Sequence, residues 1–276
     1  MPEGDTIHRM HARVAPILTG ATLARVTTQG LIRGLDGRTV TTVEVHGKHL
    51  ILSLDDGTQI RIHLGMYGRF RIYARAEGDA IVARTSPGRA SLVVATATHT
   101  VIWLTAPTIE ISHRRSPRHG MAIASLGPDI LADDFDPAQV AGAARADPAR
   151  AVGLVLLDQR IAAGIGNVYK CEALFVAGID PRTPISTLDP SKLIEIYTAA
   201  RDQMRANLGP GPRNTRSLTG APRGDSERYA VYSRSGKPCL RCGTPIDCYS
   251  LGEPPRWTWS CPTCQPRPVA GQTDRR

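Results

Sequence analysis

The run Leu50-Ile-Leu-Ser-Leu-Asp-Asp-Gly-Thr-Gln-Ile-Arg-Ile-His-Leu64 sets two apolar stretches on either side of Asp55-Asp-Gly-Thr58. Successive side chains of a strand point to opposite faces, so a period of two marks strands with one buried face. The polar tetrapeptide with its glycine supplies a hairpin turn between them. The same alternation runs through Val43-Glu-Val45 and Arg69-Phe-Arg-Ile-Tyr73. The region from Thr22 to about Pro107 is therefore expected to form an antiparallel sandwich or barrel.

Outward from this block the period changes. Upstream, Ile7, Met10, Val14, Ile17 and Leu18 recur at helical spacing from Asp5, and Gly20 supplies a stop. Downstream, the stretch from about Ile109 to Asp136 is rich in charge, proline and glycine and reads as a connection. Helical spacing returns over 137–145, 149–158, 167–177 and 189–207, separated by glycine-rich or proline-rich turns. The fold class expected is α+β and multi-domain.

The 276 residues are 41% hydrophobic, enough for two domains with separate cores. There are 34 Lys and Arg against 25 Asp and Glu, a formal charge of +9 with a pI of about 9.6, which favours a polyanionic partner. No apolar run is long enough to span a membrane, and the acidic, polar start lacks the basic and apolar regions of a signal peptide. A cytoplasmic protein is expected, nucleoid-associated if bacterial. In a reducing compartment clustered cysteines are read as metal ligands before disulfides.

Cys239-Leu-Arg-Cys242 and Cys261-Pro-Thr-Cys264 form two CxxC pairs with the spacing of a four-cysteine zinc ribbon. Four thiolates close the coordination shell of one Zn2+, so the metal is expected to be structural. Cys171 falls on the apolar side of a helix and reads as a core residue, while Cys248 has no assigned role. Between the pairs, Arg256, Trp257 and Trp259 mix a cation with aromatics, a composition suited to touching phosphate while packing on the domain.

The chain opens Met1-Pro-Glu-Gly-Asp5. An initiator methionine is readily removed before proline, which exposes a secondary amine at Pro2. An α-amino group titrates near pH 8, so a useful fraction is free at neutrality, and attack on a sugar C1′ gives a Schiff base. In isolation such a start is an ordinary terminus.

Four motifs occur in order: Met1-Pro-Glu-Gly-Asp5, His46-Gly-Lys48, Leu156-Leu-Asp-Gln-Arg-Ile-Ala-Ala-Gly-Ile-Gly-Asn-Val-Tyr169, and the cysteine ribbon. Together they resemble the formamidopyrimidine-DNA glycosylase and endonuclease VIII family from Met1 to Gln265, with the start nearer the endonuclease VIII branch. The resemblance implies an N-terminal β-sandwich with flanking helices over 1–118, a hinge over 119–136 and a helix-two-turn-helix DNA-binding domain over 137–228. It further implies a zinc hairpin over 229–266, after which a disordered tail over 267–276 is expected.

By the same resemblance Pro2 is the nucleophile, Glu3 the general acid that protonates the sugar ring oxygen, and Lys48 a phosphate contact that assists elimination. Asn167 and the glycine-rich turn before it, together with Arg256, bind phosphate, and Arg256 takes part in the final elimination. His63-Leu-Gly-Met-Tyr67 resembles the wedge loop, with Met66 and Tyr67 entering the duplex where a nucleotide has been turned out. From residue type alone, Lys48 reads equally as a solvated cation, Asn167 as an ordinary N-cap, and Met66 and Tyr67 as core.

The implied activity is a bifunctional glycosylase and abasic-site lyase acting on DNA with oxidised bases or abasic sites, by β,δ-elimination. A monomer with one structural zinc, no small-molecule cofactor and no membrane partner is expected. Oxidised pyrimidines are favoured as substrates over 8-oxoguanine or formamidopyrimidines, and a non-catalytic binder of damaged DNA is the rival. Asp5-Thr6 departs from the family's Pro-Glu pair, and Thr215 to Arg228 has no match to the loop that covers oxidised guanine.

Overall fold

The computed structural model describes residues 1–116, 120–216 and 227–267 and divides into two compact units, Met1–Leu126 and Gly127–Arg276. In the first, α1 (Gly4–Leu18) carries the predicted stripe: Ile7, Met10, Val14 and Leu18 are all buried. Strands β1 (Arg25–Thr28), β2 (Leu31–Ile32), β3 (Val40–His46), β4 (His49–Leu54), β5 (Thr58–His63) and β6 (Arg69–Ala74) follow. A helix, α2 (Arg75–Arg84), precedes β7 (Ala90–Ala95), β8 (His99–Leu104) and β9 (Thr108–His113).

These strands make two antiparallel sheets, one in the order β2-β1-β7-β8-β6 and the other β3-β4-β5-β9. One core joins them: Val26, Leu92, Val94, Val101 and Trp103 from the first sheet meet Val43, Leu50, Leu52, Ile60 and Ile62 from the second, together with the α1 stripe. The Trp103 indole N–H donates to the Met10 sulfur at 3.3 Å. The unit is thus the expected sandwich with a flanking helix.

The strand pairing corrects two expectations. Ile109-Glu-Ile-Ser-His113 belongs to no connection; it is the edge strand β9, paired along its length with β5. The alternating region also contains α2, whose one buried residue is Gly78, so no apolar stripe announces it.

The second unit is helical. After α3 (Met121–Ala124) at the end of the first unit come α4 (Pro137–Ala144), α5 (Val152–Val155), α6 (Asn167–Ala177) and α7 (Pro190–Arg205). Asp136 caps α4, its carboxylate accepting from the Ala138 N–H at 2.8 Å. Leu174, Tyr169, Ile196, Tyr197 and Met204 centre a core that draws on α4 to α7. The helix expected over 149–158 shrinks to the one turn of α5. The Val152 and Gly153 N–H groups donate to the Thr183 and Pro181 carbonyls at 2.9 Å, so that end of the helix is engaged by another segment.

The turn before α6 is held by Asp158, which takes ion pairs from Arg150 and Arg160, both at 2.8 Å. Hydrogen bonds from Arg160 and Arg150 hold this carboxyl below its ordinary range against the opposing effect of burial. The chain ends in a hairpin, β10 (Asp247–Leu251) and β11 (Arg256–Ser260). No helix among the described residues is long and apolar enough to cross a membrane. The tail from 268 onward and most of the segment between Thr215 and Arg228 lie outside the described residues.

Candidate active site and metal centre

Pro2 is half-buried at the start of the first unit, and Glu3 beside it is wholly buried. Glu3 is the N-cap of α1 and forms a capping box with Thr6, whose Oγ1 accepts the Glu3 backbone N–H at 3.5 Å. The same hydroxyl donates to the Asp5 carboxylate at 3.3 Å, and Asp5 is itself buried. The Asp5-Thr6 pair is thereby absorbed in fixing the helix start that carries Glu3.

Lys48 occupies the two-residue turn Gly47-Lys48, closed by the pair His46↔His49 between β3 and β4. Around it lies a basic cluster that sequence reasoning did not single out. His49 pairs across the sheet with His63, their rings 4.8 Å apart, and Arg61 Nη1 reaches His49 Nδ1 at 3.1 Å. Arg61 is in turn bound to Glu110 of β9 at 2.5 Å. Burial, then the charges of His63, Arg61, His46 and Lys48, push the His49 imidazole down to about 3. Burial, Lys48 and Arg61 also lower that of His63. The signal was present in the β4–β5 register, which puts His49 and His63 opposite each other on the face away from the core.

The wedge candidates stand at the end of this sheet, in the loop from β5 to β6. Met66 is 51% and Tyr67 75% exposed, so neither is core. Their loop is rooted in both sheets, because β5 and β6 belong to different ones. It is closed by the Gly68 N–H donating to the Leu64 carbonyl at 2.9 Å, and a Cβ at Gly68 would lie 2.2 Å from that oxygen. Two large apolar side chains are thus held out in water on a tight loop.

In the second unit Asn167 is the first residue of α6 rather than its cap; Gly166 is the N-cap. The Asn167 side chain donates to the Trp257 carbonyl at 2.8 Å, so one amide hydrogen is committed to the hairpin. Lys170 one turn on is wholly buried and donates to Thr258 Oγ1 at 2.7 Å. Thr258 Oγ1 donates to the Arg256 carbonyl at 3.0 Å. Helix α6 therefore grips the strand that presents Arg256 and Trp257, both exposed, while Trp259 packs edge-on against Tyr232 at 4.7 Å.

The four cysteines come together as expected: the Cys239, Cys242, Cys261 and Cys264 sulfurs all lie within 4.8 Å of one another. Cys242 and Cys261 are 3.4 Å apart and Cys239 and Cys264 3.9 Å. A tetrahedron with metal–sulfur bonds of about 2.3 Å has edges of about 3.8 Å, so the set fits one ion with all four positions filled. Backbone N–H groups of Arg241 and Cys264 point at the Cys239 and Cys261 sulfurs at 3.4 Å, stabilising thiolates in each turn. Cys171 is buried in the small core behind this cluster, and Cys248 faces Trp259 across the hairpin.

A second feature of α6 escaped the sequence. Glu172, wholly buried, accepts from the Ala230, Val231 and Tyr232 N–H groups at 2.8 to 2.9 Å and from Thr215 Oγ1 at 2.6 Å. It fastens the chain on both sides of the segment between Thr215 and Arg228.

Comparisons with known proteins agree with this architecture. The formamidopyrimidine-DNA glycosylase N-terminal domain matches residues 1–108, and the formamidopyrimidine-DNA glycosylase H2TH domain matches residues 126–217. The probable endonuclease 8 2 of Streptomyces coelicolor is 36% identical, covering 98% of this chain and 95% of that protein. The DNA-(apurinic or apyrimidinic site) lyase Nei2 of Mycolicibacterium smegmatis is 38% identical over 96% of this chain and 99% of its own.

Among solved structures, the MutM (Fpg) protein of Thermus thermophilus superposes with a TM-score of 0.75 at 28% identity, covering 96% of this chain and 98% of that one. The Lactococcus lactis Fpg in complex with abasic-site DNA is alike in fold, with a TM-score of 0.77 at 21% identity over 96% and 100% of the chains. The chain belongs to the formamidopyrimidine-DNA glycosylase and endonuclease 8 family of base excision repair glycosylases and abasic-site lyases.

Proposed function

We propose that this enzyme removes oxidised bases, chiefly oxidised pyrimidines, from DNA through a Schiff base at Pro2 and then cleaves the strand by β- and δ-elimination. The observation that carries the reading is the pairing of a half-exposed Pro2 with a wholly buried Glu3 at a capped helix start. Once Met1 is removed, the Pro2 nitrogen attacks C1′ of an extruded nucleoside. The C1′–base bond breaks and the base leaves; Glu3 gives a proton to the ring oxygen as the sugar opens to an iminium. Lys48 assists loss of the C2′ proton, which expels the 3′ phosphate, and the second elimination expels the 5′ phosphate.

Lys48, Asn167 and Arg256 hold phosphates, so affinity should fall with salt in proportion to their number. Met66 and Tyr67, already exposed, fill the stack where the nucleotide leaves, offsetting part of the unstacking cost of about a few kcal/mol. The four cysteines hold a structural Zn2+, which fits a reducing, cytoplasmic setting. The preference for pyrimidines follows the start sequence and the 36–38% identity to proteins named endonuclease 8 2 and Nei2.

Borohydride trapping tests the chemistry, because only an imine-forming protein becomes covalently attached to its DNA. Protein lacking Met1 is expected to trap on duplexes with thymine glycol more than on those with 8-oxoguanine. No trapped product on any lesion would overturn the enzymatic reading, and the reverse order would overturn the substrate preference.

A further inference from the structure

The basic cluster beside Lys48 carries a consequence for how an anion is held there. Arg61 is always protonated, so its N–H donates to His49 Nδ1 and the imidazole proton must sit on Nε2. The Gly65 backbone N–H donates to His63 Nδ1 at 3.3 Å, which fixes the same tautomer on the second ring. Neither Nε2–H has a partner among the described residues, and both rings are half-buried. We propose that His49 is a phosphate-binding residue, a neutral Nε2–H donor locked by Arg61 and ranged with His63 beside Lys48. The inference rests on the reading that Lys48 faces a DNA phosphate.

The groups around His49 come from every neighbouring strand: His46 and Lys48 at the β3–β4 turn, Arg61 and His63 on β5, and Glu110 on β9 acting through Arg61. Gly120, Ala122 and Ile123, none of them titratable, line a pocket with Arg61 and Glu110. Protonation of His49 would set an N–H against the Arg61 N–H in an already cationic corner. In the free protein the ring is therefore neutral through the physiological range, where an ordinary histidine gains charge below about pH 6.5, and its Nε2–H can meet a phosphate without a proton being taken up.

The test combines nitrogen-15 histidine NMR of the free protein with binding of a duplex holding a tetrahydrofuran abasic analogue. His49 and His63 signals, assigned through the His49→Gln and His63→Gln variants, should both show the Nε2–H pattern, with His49 not titrating between pH 8 and 5 and His63 titrating below the ordinary histidine value. His49→Leu should weaken binding about tenfold, the loss of one hydrogen bond to a charged group. His49→Gln, which keeps a neutral donor, should restore most of it. Arg61→Gln should shift the His49 titration upward without restoring its ordinary value, because burial remains the largest cause of the depression, and any tightening of binding should appear only toward the acid end of the range.

A wild-type His49 that titrates near pH 6.5, an Nδ1–H tautomer, or a His49→Leu variant that binds as wild type would each overturn the inference. Borohydride trapping by the wild type, run alongside, separates that outcome from failure of the parent reading, which would show as no trapping at all.

Discussion

Lys48 and Arg256 both stand on antiparallel hairpins, but the two hairpins are supported differently. The β3–β4 turn rests on a core fed by nine elements of the sandwich, with Leu50, Leu52 and Val43 directly beneath it. Behind β10–β11, among the described residues, the buried cluster is Cys171, Phe175, Ala230, Val231, Cys239, Ile246 and Cys261, with Tyr232, Trp259 and Cys264 packed against it, and Cys239, Cys261 and Cys264 are ligand candidates. A cluster that small cannot offset the entropy of ordering roughly thirty residues. The first hairpin is held by its own hydrocarbon; the second leans on hydrogen bonds from α6 and on a four-cysteine cluster that fits one metal ion.

Removing the metal is the largest perturbation this contrast predicts. Structural zinc contributes about 10 kcal/mol or more in small modules, so chelation or Cys261→Ser should unfold β10–β11 and reduce DNA binding at least about a hundredfold. Hydrogen exchange should show lost protection in β10–β11, while the sandwich amides and the near-ultraviolet signal of Trp103 stay unchanged. Continued protection of β10–β11 after full metal loss would break the comparison.

Glu172→Ala comes next, since it leaves two buried N–H groups, the part-buried Tyr232 N–H and the Thr215 hydroxyl without their acceptor. It should cost about 3 to 4 kcal/mol in the second unit and leave the sandwich transition untouched in calorimetry. Lys48→Ala should do the opposite: no change in either transition, with strand cleavage slowed about a hundredfold, the scale of one proton-transfer residue. A fall in sandwich stability would mean that the lysine is a packing residue.

The smallest effect concerns acid. The Asp158 carboxyl is depressed in the folded protein, so its contribution is complete above its unfolded value and is lost as pH falls below about 4. Asp158→Asn should flatten that part of the second unit's acid response by about 1 kcal/mol, since Arg160 is largely exposed and its pairing is screened.

Much of this was legible in residue order. Ile7, Met10, Val14 and Leu18 announced α1, the alternation around Asp55–Thr58 announced β4 and β5, and the cysteine spacing announced the cluster of four thiols. What escaped depended on pairing across distance or on weak local signal. β9 was hidden because the charged run after His113 overwhelmed its short alternation, and α2 because its apolar contacts come from the adjacent pair Ile81 and Val82 and not from a helical stripe. The Asn167–Trp257 and Glu172–Val231 bonds join residues 90 and 59 positions apart, and no local pattern marks them. The cluster of His49, Arg61 and His63 needed only the strand register, which alternation implies but does not number.

The carboxylate of Glu172 has one more implication, for change over time. With three amides and a hydroxyl pinned to a single buried group, both roots of the stretch between Thr215 and Arg228 are fixed to α6 whatever lies between them. Descendants could lengthen, shorten or rewrite that insert without renegotiating the helices beneath it, and a designer could graft another onto the same two anchors.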